Sequence, residues 1–178
     1  MKLRSVIAAA CLALPAISVA EINYTYVQGT YQVWTEEKVH KWLIKGSYQV
    51  NDSLYLTAED GGIFDFRNAS VGFIAPMNNL HLYGQLGLGD SGDGLNPILE
   101  GGARLAAGDA MELRGAIRYM PEVYSNAVAA PGVDDDEELL FIVEANYFAS
   151  EKISLVGGVS IPTEADGVIL ELGARYNF

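Results

Sequence analysis

The chain has 178 residues, half of them hydrophobic, with a mean hydropathy of +0.15 and a formal net charge of -12 from 11 basic and 23 acidic residues. An acidic excess of that size repels nucleic-acid phosphates and argues against a nucleic-acid partner. The single cysteine, Cys11, excludes an intrachain disulfide, and a positive hydropathy in so charged a chain points to apolar surface that faces something other than water.

Residues 1–20, MKLRSVIAAACLALPAISVA, have a basic start in Lys2 and Arg4, an apolar stretch, and a small-x-small end at Ser18-Val19-Ala20. That is the layout of a secretory signal peptide with cleavage after Ala20. A spanning anchor would need about 20 apolar residues, and this run is shorter and holds Pro15. Acylation at Cys11 would cut the apolar stretch too short. The domain plan is therefore a leader over 1–20 and one barrel domain over 21–178. Without its leader the chain has no cysteine, so a thiolate metal site is excluded, and no motif asks for a cofactor.

Beyond residue 20 no apolar run is long enough for a membrane helix. What recurs is a segment of about 8 to 12 residues with period-two alternation, closed by turn-forming residues. Ten such segments follow in order: Ile22 to Trp34, Val39 to Val50, Ser53 to Asp60, Asn68 to Met77, Leu80 to Gly89, Pro97 to Ala107, Ala110 to Met120, Glu138 to Ala149, Lys152 to Ile161, and Gly167 to Phe178. Tight links at Asn51-Asp52, Asn78-Asn79, Gly108-Asp109 and Ser150-Glu151 alternate with longer ones at Thr35 to Lys38, Gly61 to Arg67, Asp90 to Asn96, Pro121 to Glu137 and Pro162 to Asp166. Short turns on one rim and longer loops on the other are the plan of an outer-membrane barrel. The fold class predicted is all-β: a single antiparallel up-and-down transmembrane barrel of ten strands, with both termini periplasmic. Eight strands is the alternative, because the first segment changes face in the alternation near Gln28-Gly29 and the third is short.

A soluble barrel of the lipocalin kind also alternates, but it turns its apolar face inward. The discriminators are how many charges occupy the polar face and whether the other face could fill an interior. In the seventh segment Met111, Leu113, Gly115, Ile117 and Tyr119 oppose Glu112, Arg114, Ala116 and Arg118. In the tenth, Val168, Leu170, Leu172, Ala174, Tyr176 and Phe178 oppose Ile169, Glu171, Gly173, Arg175 and Asn177. Aromatic residues near strand ends (Tyr31, Trp34, Trp42, Tyr48, Tyr119 and Tyr147) suit the headgroup level of a bilayer, where one part of the ring is apolar and another wet.

The final strand is the most specific local motif. Leu170, Leu172, Tyr176 and the last residue, Phe178, hold alternate positions and resemble the signal read by the barrel-assembly machinery. The predicted lumen charges are Lys45, Glu59, Glu100, Arg104, Glu112, Arg114, Arg118, Glu144, Glu171 and Arg175, five of each sign. Unpaired charge in a narrow interior costs several kcal/mol. Cross-strand pairs are therefore expected, joining Glu100 and Arg104 to Arg114, Arg118 and Glu112, and setting Glu171 and Arg175 near Glu144 and the first strand. Such a set either plugs the lumen or lines an ion path, and at ten strands the plug is favoured.

The acidic run Gly132 to Glu138 lacks the ligand spacing of a calcium loop and reads as a solvated outer loop, and Asp90 to Gly94 reads the same way. Enzyme chemistry has little support: His81 falls beside a tight turn, and His40 is a lone rim histidine near Glu36 and Glu37.

The plan resembles the class of small barrels that includes the transmembrane domain of OmpA and the opacity proteins. More narrowly, Tyr24-Thr25-Tyr26-Val27-Gln28-Gly29-Thr30-Tyr31 followed by Ile44-Lys45-Gly46-Ser47-Tyr48 is similar to the opening of the outer-membrane barrel family named for a sulfation-dependent quorum factor. That resemblance implies ten strands over the whole mature length. It carries no signalling role, because no residue here supports one. Three function classes follow: a structural and surface-interaction scaffold touching outer-membrane lipid and lipopolysaccharide, a narrow pore for ions or small solutes, and, well behind, a lipid-modifying or proteolytic enzyme. Oligomeric state is not legible from the sequence.

Overall fold

A computed structural model describes residues 22–90, 94–120, 138–163 and 166–178. Ten strands run in chain order: β1 Tyr26–Trp34, β2 His40–Asn51, β3 Leu54–Gly61, β4 Phe66–Met77, β5 Leu80–Asp90, β6 Leu95–Ala106, β7 Met111–Met120, β8 Glu138–Phe148, β9 Ile153–Pro162 and β10 Ile169–Asn177. Each pairs antiparallel with its neighbour in sequence, and β10 returns to β1, from Tyr26 opposite Asn177 to Trp34 opposite Ile169. Closure leaves no sheet edge, so every strand has a ladder on both sides. The eight-strand alternative is thereby set aside.

The first strand does not exchange faces at Gln28-Gly29. It runs in unbroken register with both neighbours, and Tyr26, Gln28, Thr30 and Trp34 are buried while Val27 and Tyr31 are exposed. Polar Gln28 and Thr30 share the inner face with two aromatics, and that mixture makes the sequence look irregular. The strand also starts later than the alternation suggests. The Asn23 side chain accepts a hydrogen bond from Thr25 N at 2.6 Å, an Asx turn that bends residues 22–25 away from the ladder.

Links 52–53, 78–79, 107–110 and 149–152 occupy the rim that also holds residue 22 and Phe178. The opposite rim carries the described links 35–39 and 62–65 and the strand ends that flank the connections β5–β6, β7–β8 and β9–β10. Two of these are shorter than expected, because β4 begins at Phe66 and β5 and β6 extend to Asp90 and Leu95. The inner–outer alternation continues through them: Phe66 is buried and Arg67 stands opposite Asp60.

Outward positions form an apolar belt, including Ile44, Leu56, Leu86, Leu99, Ile117, Phe141, Leu155 and Leu172, all exposed. Inward positions are polar at mid-height and apolar or aromatic towards both ends. This inversion of the usual soluble pattern is what a barrel with lipid outside and charge inside requires.

Candidate functional site: the lumen

The long-loop end is closed by the connection 62–65, which turns into the barrel. Gly61 and Gly62 have φ of 91° and 78°, and a Cβ on Gly61 would lie 2.5 Å from the Trp42 carbonyl oxygen. Only glycine enters that turn without strain. It drives Ile63 to full burial and sets Phe64 against Trp34, with ring centroids 6.2 Å apart. Ile98, Met120, Leu140 and Ile169 complete the apolar cap. Ile63 N donates to Gln32 Oε1 at 3.0 Å, and Gln32 Nε2 donates to Glu171 at 3.3 Å, so one side chain couples the cap to the layer below.

At mid-height nine charged side chains form an unbroken chain of alternating sign. It runs from Lys45 to Glu59 (3.0 Å), Arg118 (2.8 Å), Glu100 (2.7 Å), Arg114 (2.6 Å), Glu144 (3.7 Å), Arg175 (2.7 Å), Glu112 (3.4 Å) and finally Arg104 (2.8 Å). All nine are buried. Charges taken from water are tolerated only when partners replace the lost solvation. Neutral donors and acceptors fill the remaining valences. Tyr83 hydroxyl donates to Glu100 and accepts from Arg114, each at 2.8 Å; Asn68 donates to Glu59 at 2.7 Å; Gln28 accepts from Arg175 at 2.9 Å and donates to Glu144 at 3.3 Å. The chain begins and ends on a cation. Glu171 stands apart from it, held by Thr30 and Gln32 at 3.4 and 3.3 Å, with no ion pair among the described residues.

The terminal rim is closed by residues 22–25. Tyr24 is buried, with the Arg104 guanidinium carbon 4.2 Å from its ring centroid and the His81 imidazole stacked on it at 5.9 Å. Arg104 Nη2 also donates to the Asn23 carbonyl at 2.9 Å. Arg175 sits over Tyr26 at 4.1 Å, a second cation–π contact. Burial pushes the Tyr24 phenol above its ordinary value, so it stays neutral at any physiological pH.

Two spaces between these layers, among the described residues, are small. One cavity near the long-loop cap measures about 50 Å³ and one near Tyr83 about 10 Å³. Voids of that size hold water-sized occupants at most.

All ten lumen charges predicted from sequence point inward, and the structure brings nine of them into one chain. The aromatic set divides. Tyr31, Trp42 and Tyr48 are exposed on the outer wall, and Tyr119 and Tyr147 are half-buried. Trp34 is a correction: it is buried inside the mouth and donates from Nε1 to the Asp166 carbonyl at 2.9 Å, because its parity is that of Tyr26 and Gln28. Leu170, Leu172, Tyr176 and Phe178 all face outward and are exposed, the last two in edge contact at 5.1 Å. His40 lies beside Tyr31, centroids 6.0 Å apart. The cleavage position Ala20, acidic residues 132–137 and residues 91–93 lie outside the described residues. Sequence reasoning sets Tyr83 on the polar face with Gln85 and misses the inner tyrosines 24, 26 and 55 and the Ile63-Phe64 cap. Parity with Gln28 carries the signal for Tyr26, with Glu59 that for Tyr55 and with Gln85 that for Tyr83; nothing comparable marks the cap.

No family model matches the chain, and no curated protein sequence matches it. Among solved structures, the KdgM porin aligns with a TM-score of 0.58 at 10% identity over 86% of this chain and 99% of that one. The NanC porin aligns at 0.59 with 8% identity over the same shares, and KdgM in complex with disordered oligogalacturonate at 0.53 with 9% identity. Identities this low speak to architecture alone. The chain is a closed ten-stranded antiparallel barrel with the fold of outer-membrane porins.

Proposed function

We propose that this chain is an outer-membrane barrel serving as a rigid scaffold that presents its loops at the cell surface, with a lumen sealed by paired charge. The observation that carries the reading is the nine-residue chain from Lys45 to Arg104, closed above by Ile63 and Phe64 and below by Tyr24. The apolar outer wall supports the membrane location, and short links gathered at the rim of the termini support a periplasmic placement of both ends. Lipopolysaccharide and surrounding lipid are the partners of the wall and loops, and the assembly machinery reads the last strand during biogenesis.

A specific observation favours a second reading, that of a narrow pore. KdgM and NanC are porins, one of them captured with an acidic saccharide, and this lumen too is lined with charge. Conduction here would require links of the ion chain to part and the mouth to open. Planar-bilayer recording of the purified barrel separates the two. A silent trace is expected, and defined unitary current steps would sink the scaffold in favour of the pore.

A further inference from the structure

The ion chain has five cations and four carboxylates, and both of its ends, Lys45 and Arg104, are cationic. Lys45 is on β2 and Arg104 on β6, yet both line the same cavity near Tyr83, of about 10 Å³, together with Arg114 and Glu100. Three cations and one carboxylate therefore face a space that holds about one water-sized occupant. Glu171, the fifth inward carboxylate, does not supply the missing charge. It lies on β10, held by Thr30 and Gln32, and is not part of the cavity wall.

The partners already in place leave this excess standing. Among the described residues Lys45 has one carboxylate, Glu59 at 3.0 Å, and Arg104 has one, Glu112 at 2.8 Å. Glu100 is taken up by Arg114, Arg118 and the Tyr83 hydroxyl. Two further groups of the wall, the hydroxyls of Tyr24 and Thr57, are buried and have no hydrogen-bond partner among the described residues. A buried hydroxyl left in that state is costly, so both mark the cavity as occupied space.

We propose that this cavity binds one halide ion of the chloride type, a resident structural anion that closes the ion chain into a ring of alternating charge. Lysine and arginine only donate, and both hydroxyls have a proton to donate, so the occupant must accept from several sides at once. A halide does so. Water would satisfy the hydroxyls, but it carries no charge and leaves three cations facing one carboxylate. The cavity is too small for a phosphate, a sulfate or a carboxylate, and the flexible Lys45 stem accommodates the small excess of chloride over water. With the ion in place, the two ends of the chain are joined across the lumen, β2 to β6. The site goes beyond the scaffold reading and concerns the interior alone.

The test unfolds the full-length barrel with urea in lipid vesicles while chloride is exchanged for gluconate at constant ionic strength. Raising chloride tenfold through the millimolar range is expected to increase the folding equilibrium constant at least about threefold, because the native state alone holds the ion. Thr57→Val keeps every charge and nearly the same shape, and should lose the chloride dependence. Lys45→Met should lose it too, and there Glu59 keeps Arg118 at 2.8 Å. Unchanged heat-modifiable gel migration verifies the fold of each variant. Crystals of the wild-type barrel grown in bromide should show one anomalous peak between Lys45 and the Arg104 guanidinium. A wild-type barrel indifferent to chloride, an equal dependence in Thr57→Val, or bromide crystals with no peak in the cavity would each overturn the proposal. Bilayer current with the bromide peak in place defeats the sealed scaffold and upholds the halide, whereas a silent barrel without the peak defeats the halide alone.

Discussion

On β7, Glu112, Arg114, Ala116 and Arg118 face the lumen while Met111, Leu113 and Ile117 face out, so one ten-residue strand serves two different solvents. The inner wall is crowded and its polar atoms depend on particular partners. The outer wall is apolar, and several of its positions touch nothing. Identical backbone geometry therefore yields one face where almost any substitution should be felt and another where size and shape are free within the limits of apolarity. The difference lies in what replaces water: named side chains inside, interchangeable hydrocarbon outside.

The largest expected effect comes from breaking the ion chain at an acid that two guanidiniums share at short range. Glu100 faces Arg114 and Arg118 at 2.6 and 2.7 Å and accepts from Tyr83. Glu100→Ala takes one carboxylate from two buried guanidiniums, leaving Arg118 on Glu59 at 2.8 Å and Arg114 on Glu144 at 3.7 Å, and should cost about 3–5 kcal/mol. Urea unfolding of the barrel in lipid vesicles measures it. An effect under about 1 kcal/mol would mean that water already solvates the lumen and that the chain is not sealed.

Next is the long-loop cap. Phe64 is buried against Trp34 in a connection that a surface loop would leave in solvent. Phe64→Ala should destabilise by about 3 kcal/mol and leave a void above the ion chain. If the connection were an ordinary loop, the same assay would give a change within about 0.5 kcal/mol.

Glycine sharpens the contrast between walls without altering charge. A Cβ at inward Gly72 would fall within the Tyr55 ring, whereas one at outward Gly101 meets nothing within 4 Å. Gly72→Val is expected to lose about 1–3 kcal/mol through overpacking, and Gly101→Val to be neutral or slightly stabilising because the strand gains a β-branched residue. Equal effects at the two sites would contradict the assignment of faces.

Much of this division is legible in the sequence, since β7 and β10 alternate cleanly enough to separate Arg114 from Leu113 and Glu171 from Leu170 before any coordinates exist. Pairing was less so. That Arg118 reaches Glu59 on β3 as well as Glu100 depends on the diameter and stagger of the closed barrel, which no local pattern encodes. The cap was invisible for another reason. Gly61 and Gly62 read as a loop wherever the loop goes, and only the tertiary space between Trp34 and Met120 decides that Ile63 turns inward. Trp34 was misplaced because an aromatic near a strand end fits the headgroup level as well as it fits a mouth, and only parity with Gln28 distinguishes the two.

That distinction gives the smallest and most local prediction. The chain has two tryptophans, Trp34 within the mouth at 3% exposure and Trp42 on the outer wall at 65%. Bromine on a lipid acyl chain quenches only rings that it can approach. In vesicles of brominated phospholipid, Trp34→Phe should retain nearly all of the wild-type quenching, because Trp42 remains against the hydrocarbon. Trp42→Phe should lose it, because Trp34 is shielded by β1, by Phe64 and by its hydrogen bond to Asp166. Strong quenching of Trp34 alone would place that ring at the lipid boundary, reverse the parity of the whole first strand, and carry Gln28 out of the ion network with it.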